Sequence, residues 1–427
     1  MKITVIGTGY VGLVTGLGFA ELGHHVLCYD HDNLKIESLK NGIVPFYEAQ
    51  TEKVLLKHLN KRIHFTSNLA TAITHANILF FCIGLTEEKT LRAQTAGLMT
   101  LIKSISEASK NKLIVLKSTA PIGTHQLIQK KFPNLRLVTN PEFLSEGQAI
   151  KDFMKPHRVI IGTSQKKDAS ILTRIYSPLV KSTSQIIIMD AVSAELTKHS
   201  ANAMLATRVS FINEISRLCE LTGGNIDLIK RGIGTDPRIG LQFLNAGIGY
   251  GGSCLPKDIL ALDHAAKASG ETLHLIRAVK KTNQIQLKNS FQKIKTIVQK
   301  NKIKSVTVWG LSFKPKTDDL RESPALALLQ KIMSLDLNIK VCDSVAKKPF
   351  EKLKWSRGIE FHHDIYTSLK GSELLLILTE WPQFTSANLK KIKSTMKKPI
   401  LFDGRNIFDP LKMKKMGFEY HSVGRPL

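Results

Sequence analysis

The stretch Gly7-Thr8-Gly9-Tyr10-Val11-Gly12 follows directly on the apolar run Lys2–Ile6 and leads into a helix-like stretch from Val11 to Leu22. Three glycines at this spacing, between a strand and a helix, point to one local structure. Gly7 permits a tight turn, Gly9 lets the backbone approach a pyrophosphate, and Gly12 lets helix and strand pack closely. The N–H groups and dipole of the helix N-terminus then face an anion. Glycine turns are common, so the position after an N-terminal strand carries the argument. The next strand candidate, His25–Tyr29, ends on Asp30. A carboxylate at that distance accepts the ribose hydroxyls of a dinucleotide and repels a 2′-phosphate, which favours NAD over NADP. A strand-end turn residue is the plainer reading of Asp30; the βαβ setting favours the coenzyme. Gly7, Gly9, Tyr10, Val11, Gly12 and Asp30 are thus the expected coenzyme residues. Lys35 either reaches the adenosine side or is a surface lysine.

The βα alternation continues, with buried-strand candidates at Ile78–Ile83, Leu113–Lys117, Leu135–Val138, Arg158–Gly162 and Gln185–Met189. Strands separated by helices imply a parallel, doubly wound sheet. From Ser193 the spacing becomes helical through Thr222 and, after a glycine-rich loop, again over Ile259–Val298. Strand candidates return at Val306–Gly310, Ile339–Cys342, Leu374–Leu378 and Ile400–Phe402, with Ser323–Leu335 a helix among them. The expected fold is α/β: a Rossmann-like NAD-binding domain over residues 1–192, a central helical region over 193–300, and a second Rossmann-like domain over 301–427.

The formal charge of +26 raises nucleic-acid binding as an alternative. The lysines are interleaved with apolar core positions and no recognition motif accompanies them, so solvation of outer helix faces is the preferred reading and no nucleic-acid partner is expected. No secretory leader pattern opens the chain and no apolar run is long enough to cross a bilayer. A cytoplasmic protein without a membrane partner is expected. Cys28, Cys82, Cys219, Cys254 and Cys342 lie far apart without CxxC spacing, which argues against a disulfide framework or a metal site.

One cysteine stands apart. Gly247-Ile248-Gly249-Tyr250-Gly251-Gly252-Ser253-Cys254-Leu255-Pro256-Lys257-Asp258 places a thiol after a glycine-rich loop and beside a helix that Pro256 can open. The helix N-terminus and Lys257 both favour thiolate. A buried core cysteine is the competing reading and fits the other four. Joined to a hydride-accepting coenzyme, a thiolate suggests more than a simple alcohol dehydrogenase. It can trap an aldehyde as a thiohemiacetal, whose second oxidation gives a thioester that water releases as acid. Glu195, Lys198 and Asn202 share one helical face. From spacing alone they form an exposed polar stripe, or else Lys198 and Asn202 present an ammonium and an amide to an oxyanion.

These segments together resemble the UDP-glucose/GDP-mannose dehydrogenase family along nearly the whole chain. The resemblance rests on Gly7–Gly16, residues 117–124 (KSTAPIGT), residues 140–147 (NPEFLSEG), Glu195–Asn202, Phe243–Asp258 and residues 313–325 (FKPKTDDLRESPA). It implies a four-electron oxidation of a nucleotide-linked hexose at C6, with two NAD and water, of UDP-glucose or alternatively GDP-mannose. A two-electron hydroxy-acid dehydrogenase is the rival outside the family; it has no need of Cys254. The resemblance makes Cys254 the nucleophile and Lys198 and Asn202 the oxyanion partners. By the same resemblance Asp258 and Thr119 would hold the water, and Glu142 would be the general base for thioester hydrolysis. It also places Thr86, Thr119, Glu146, Lys257 and Arg321 near NAD. Around the sugar nucleotide it places Glu142, Phe143, Leu144, Ser145, Glu146, Lys198, Asn202, Phe243, Leu244, Asn245, Ala246, Gly247, Gly251 and Lys314. Arg238 resembles an arginine that reaches a neighbouring subunit's substrate, so a homodimer is expected. Two departures stand out: Ser145 replaces the usual arginine, and Leu85 replaces the threonine of a threonine-proline turn.

Overall fold

The computed structural model describes residues 1–84, 95–108 and 111–425. The chain divides into two compact units, Met1–Ser200 and Ala201–Leu427. In the first, eight strands form one sheet: β1 (Lys2–Ile6), β2 (His25–Tyr29), β3 (Ile63–Thr66), β4 (Ile78–Phe81), β5 (Leu113–Leu116), β6 (Arg136–Thr139), β7 (Val159–Gly162) and β8 (Ile186–Met189). Their order is β3-β2-β1-β4-β5-β6-β7-β8. The reversal between β1 and β4 is the switch point of a doubly wound sheet, where ligands bind beyond the strand C-termini. The central strands β4 (ILFF) and β5 (LIVL) are continuous apolar runs, as strands covered on both faces should be.

The sheet is not wholly parallel, as the strand–helix alternation had suggested. β6 meets β7 antiparallel through the single pair Thr139↔Gly162, and β8 runs parallel to β7. An antiparallel neighbour needs no crossover helix, so the short helix Ala149–Met154 suffices to turn the chain back.

The second unit carries six parallel strands: β9 (Ser305–Trp309), β10 (Asn338–Cys342), β11 (Glu360–His362), β12 (Leu374–Ile377), β13 (Ile400–Asp403) and β14 (Glu419–Ser422). Their order is β11-β10-β9-β12-β13-β14. The helices Leu255–Ala268 and His274–Lys300 belong to the same unit. The apolar residues Ile294, Ile297 and Val298 of helix His274–Lys300 share one core with Val306, Val308 and Leu376 of the sheet. The long helix Ala191–Thr222 spans 32 residues. Among the described residues no helix is long and apolar enough to cross a membrane.

Candidate active site

In the first unit, Gly7 turns the chain out of β1 with φ +95°. Helix Tyr10–Glu21 begins at once, with Gly9 as its N-cap and no acidic residue in its first turn. A Cβ on Gly12 would lie 1.8 Å from the Gly7 carbonyl oxygen, so no larger residue fits. The first turn of the helix therefore carries no acidic side chain of its own and is closely apposed to the strand end, a cradle that fits a pyrophosphate. Val11 is half-buried. Asp30 lies buried at the end of β2. Its Oδ2 accepts from Thr8 N (2.9 Å), Thr8 Oγ1 (2.8 Å) and Lys35 Nζ (3.0 Å). Burial raises its pKa, but these bonds, with one from the Asp32 N–H, outweigh it and bring the carboxyl down to about 2. Lys35 is thus a partner of Asp30. Leu85 and Thr86 lie outside the described residues.

Beyond β6, the buried Glu142 turns back on its own loop. Its Oε2 accepts from Leu144 N at 2.5 Å and its Oε1 pairs with Lys198 Nζ at 2.9 Å. Lys198 is 3% exposed, so the stripe reading fails here: the ammonium is inside, held by a carboxylate. Phe143 lies between cations, with Arg158 3.7 Å and Lys198 Nζ 5.3 Å from its ring centroid. Glu195, one turn before Lys198, accepts from Gly123 N (2.7 Å) and His125 N (2.8 Å). Burial pushes its carboxyl up to about 7 against the pull of those bonds. With His199 Nε2 2.9 Å from the Ala120 oxygen, it anchors the turn that comes after the half-buried Thr119. Ser145 donates its N–H to Asp152 Oδ2 at 2.9 Å. Leu144 packs against the core of the first sheet, and Glu146 is half-buried.

In the second unit, Cys254 is exposed while the other four cysteines are buried. It is the N-cap residue of helix Leu255–Ala268, in which Pro256 falls in the first turn. Asp258 in the same turn is 1% exposed and accepts from Asn202 Nδ2 at 2.5 Å. Asn202 and Asp258, chosen from separate motifs, therefore meet. The glycines of the loop serve the chain's own packing. A Cβ on Gly251 would lie 2.1 Å from the Glu322 oxygen, and one on Gly252, at φ +85°, 2.6 Å from the Phe313 ring. Leu244 and Ala246 are buried in the core, which leaves only their backbone to meet a ligand. Phe243 is 42% exposed and holds φ +60°, a strained conformation that often marks a functional position. Asn245 accepts from Lys230 Nζ at 2.5 Å. Lys257 is half-buried. Lys314 Nζ lies 5.5 Å from the Phe313 ring centroid. Arg238 pairs with Asp236, and Arg321 with Asp319 through Nε and Nη2.

Several residues that hold these groups cannot be picked out by sequence reasoning. Lys117 is buried beside Asn140, donating to its Oδ1 at 3.2 Å, and Tyr176 OH donates to the same oxygen at 2.6 Å. Burial brings the Lys117 ammonium down to about 8, although Cys82 and Glu142 nearby favour its charge. Asn283 clamps Tyr250 through both its N–H and its carbonyl, at 2.9 and 3.0 Å. Asn213 and Gln286 do the same for Gly247, at 2.8 and 2.7 Å. Arg405 donates to the carbonyls of Leu378 and Phe313. Asn283 and Gln286 lie in a helix rich in polar residues and Arg405 in a loop, so their residue types do not set them apart from solvated neighbours.

The chain matches the NAD binding domain of the UDP-glucose/GDP-mannose dehydrogenase family over residues 1–180, its central domain over 192–285 and its UDP binding domain over 307–410. It is 40% identical to UDP-glucose 6-dehydrogenase TuaD of Bacillus subtilis, covering 100% of this chain and 93% of that protein. It is 36% identical to a UDP-glucose 6-dehydrogenase of Pseudomonas aeruginosa, over 100% and 98%. Among solved structures, a UDP-glucose dehydrogenase from the archaeon Pyrobaculum islandicum superposes with a TM-score of 0.87 at 28% identity, covering 99% of this chain and 97% of that one. The chain therefore belongs to the UDP-glucose/GDP-mannose dehydrogenase family and is an NAD-dependent dehydrogenase.

Proposed function

We propose that this chain oxidises UDP-glucose to UDP-glucuronate through a covalent intermediate on Cys254. The observation that carries the reading is the contrast among the cysteines: four are buried, and the exposed one sits on a helix N-terminus beside a glycine loop. The substrate is inferred from the UDP-glucose relatives and from the match to a UDP binding domain.

NAD held at the glycine turn would supply the hydride acceptor for both oxidations at C6. Between them, Cys254 Sγ attacks the aldehyde carbon and forms a thiohemiacetal. Loss of the second hydride leaves a thioester, which water cleaves to the carboxylate and the free thiol. One alcohol, two NAD+ and one water give one carboxylate, two NADH and three protons. Lys198 and Asn202 stabilise the negative charge that develops on the C6 oxygen. Asp258, buried and bonded to Asn202, and Thr119 orient water, and Glu142, paired with Lys198, is the base for hydrolysis. Gly7, Gly9, Tyr10, Val11, Gly12, Asp30 and Lys35 hold the coenzyme, with Glu146, Lys257 and Arg321. The sugar nucleotide lies against residues 142–146, 243–247, Gly251 and Lys314.

The active form is a homodimer. Met204, Phe211 and Leu218 recur every seven residues on helix Ala191–Thr222 and are 61%, 48% and 54% exposed, an apolar stripe suited to a second copy. Arg238, with 87% of its side chain exposed, extends to the partner's site. The cytoplasm is the proposed location, a reducing compartment in which an exposed reactive thiol such as Cys254 persists. Sedimentation as a monomer at micromolar concentration removes the dimer.

The deciding test counts NADH formed per UDP-glucose, with GDP-mannose as the competing substrate. Two NADH are expected from UDP-glucose; one NADH sinks the covalent route. Cys254→Ser is expected to bind NADH like the wild type and to make no UDP-glucuronate. Full conversion to acid by that variant removes the thiol from the mechanism.

A further inference from the structure

We propose that Glu48 is a positioning residue that ties the coenzyme turn to the loop forming the sugar side of the site. The inference rests on the proposed role of residues 142–146 beside the sugar nucleotide. Glu48 lies in the segment Phe46-Tyr47-Glu48 and belongs to none of the motifs that suggested the function. It is 6% exposed. An ionised carboxylate only accepts hydrogen bonds, and this one accepts from two places far apart in sequence. Its Oε2 accepts from Tyr10 OH at 2.5 Å and from Gly147 N at 2.5 Å, and its Oε1 from Ala149 N at 2.8 Å.

Both ends of this bridge are functional positions. Tyr10 is the first residue of helix Tyr10–Glu21, whose N-terminus forms the pyrophosphate cradle. Gly147 comes directly after Glu146 and takes φ +84°, and Ala149 opens helix Ala149–Met154. A single oxygen thus holds both the first residue of the coenzyme helix and the backbone at the end of the 142–146 loop. The Tyr10 ring packs on Phe46, with ring centroids 5.3 Å apart, so the tyrosine cannot swing away without disturbing the strap that carries Glu48. Burial and the Glu48 carboxylate together raise the Tyr10 hydroxyl pKa; the phenol stays protonated and remains the donor. A displacement of the coenzyme helix is passed to the sugar loop through Glu48, and the reverse holds by linkage.

Tyr10→Phe separates this role from ordinary stabilisation. It removes only the coenzyme-side bond and leaves both backbone donors of the loop on Glu48. At saturating NAD it is expected to raise the KM for UDP-glucose roughly five- to tenfold, a part of what one hydrogen bond to a charged acceptor is worth, because the bond reaches the sugar loop only through Glu48. Loss of folded protein alone lowers kcat and leaves KM in place. Glu48→Gln is expected to raise the KM for both NAD and UDP-glucose, and the double variant to fall well short of the product of the two single effects. A Tyr10→Phe enzyme with an unchanged KM for UDP-glucose overturns the proposal, as do strictly multiplicative effects in the double variant. Should Glu48→Gln fail to fold, Tyr10→Phe decides alone. If the wild type does not turn over UDP-glucose, the functional reading falls first. NADH fluorescence titration without sugar then decides for Glu48, and equal affinity in the wild type and Glu48→Gln overturns the bridge.

Discussion

Gly7 and Gly310 close the first strand of their respective sheets in the same way. Gly7 takes φ +95° and donates to the Tyr29 oxygen at 2.7 Å; Gly310 takes φ +92° and donates to the Cys342 oxygen at 2.8 Å. In each sheet the neighbouring strand runs into an aspartate. Asp30 accepts from Thr8 through both N–H and hydroxyl, and Asp343 from the N–H groups of Leu311 and Ser312 and the Ser312 hydroxyl. Beyond the glycines the two chains part. After Gly7 a helix starts at Tyr10, whereas after Gly310 the next helix waits until Pro324. The intervening residues include Lys316 and Glu322 with left-handed backbones, φ +67° and +49°. Asp343 also takes Val345 N, Ala346 N and the Trp381 indole. By contrast, Asp30 Oδ1 has Asp32 N at 3.2 Å and the exposed His31 ring. The same turn therefore leads straight into a helix N-terminus in the first sheet, and in the second is followed by a long loop, with protein donors surrounding its carboxylate.

The largest expected effect comes from removing the more heavily bonded carboxylate. Asp343→Ala leaves the Leu311, Ser312, Val345 and Ala346 N–H groups, the Ser312 hydroxyl and the Trp381 indole to find other acceptors. Each buried donor left unpaired costs about 1–3 kcal/mol, and relaxation recovers part of that. A loss on the order of 4 kcal/mol is expected in urea unfolding of the second unit, with NADH affinity within about twofold of the wild type. A loss below about 1 kcal/mol would show that Asp343 is not what holds its turn.

Asp30→Ala should show the reverse pattern. NADH affinity, measured by fluorescence, is expected to fall roughly tenfold to a hundredfold, the range for hydrogen bonds to a charged group. Stability should fall by only about 1 kcal/mol. Unchanged NADH affinity with a stability loss matching that of Asp343→Ala would make the two turns equivalent and end the comparison.

The two turns are unequally legible in the sequence, for physical reasons. The first carries its chemistry in glycine spacing, because only glycine tolerates the contact between residue 12 and the Gly7 carbonyl. The second has a single glycine, and its bonds run to Asp343 and Trp381, which no local spacing connects. Strand candidates with continuous apolar runs match the observed strands to within a residue or two at either end. β3, β11 and β14 were missed; edge strands alternate or carry polar residues and resemble loops. In the candidate site, Cys254, Lys198 and Asp258 could be picked out because motifs hold them. Glu48 and Asn283 could not, since each is a lone polar residue whose meaning lies in partners at least 33 positions away. The meeting of Lys198 with Glu142 and of Asn202 with Asp258 likewise needed the fold, being separated by 56 residues in each case.

The smallest effect concerns Lys35, which gives Asp30 a cationic partner at 3.0 Å. Asp343 has no ion pair among the described residues. The Asp30 carboxyl stands at about 2 in the fold against 3.8 for the free group. A lowered carboxylate pKa adds stability that is complete above about pH 4 and is lost as the pH falls toward 2. Lys35→Met removes one of the bonds that lower it, so the folded-state value moves back toward 3.8. The pair is partly open to solvent, and the expected cost at neutral pH is only about 0.5 kcal/mol. The gap between wild type and Lys35→Met should hold steady from neutral pH down to about pH 4 and close by about pH 2. In roughly 1 M salt it should shrink at every pH, because the screening length falls to roughly 3 Å. The loss caused by Asp343→Ala, which involves neutral donors, should resist the same salt. A Lys35→Met gap that widens in acid, or ignores salt, would mean that Lys35 acts through packing, and the electrostatic difference between the two aspartates would have to be abandoned.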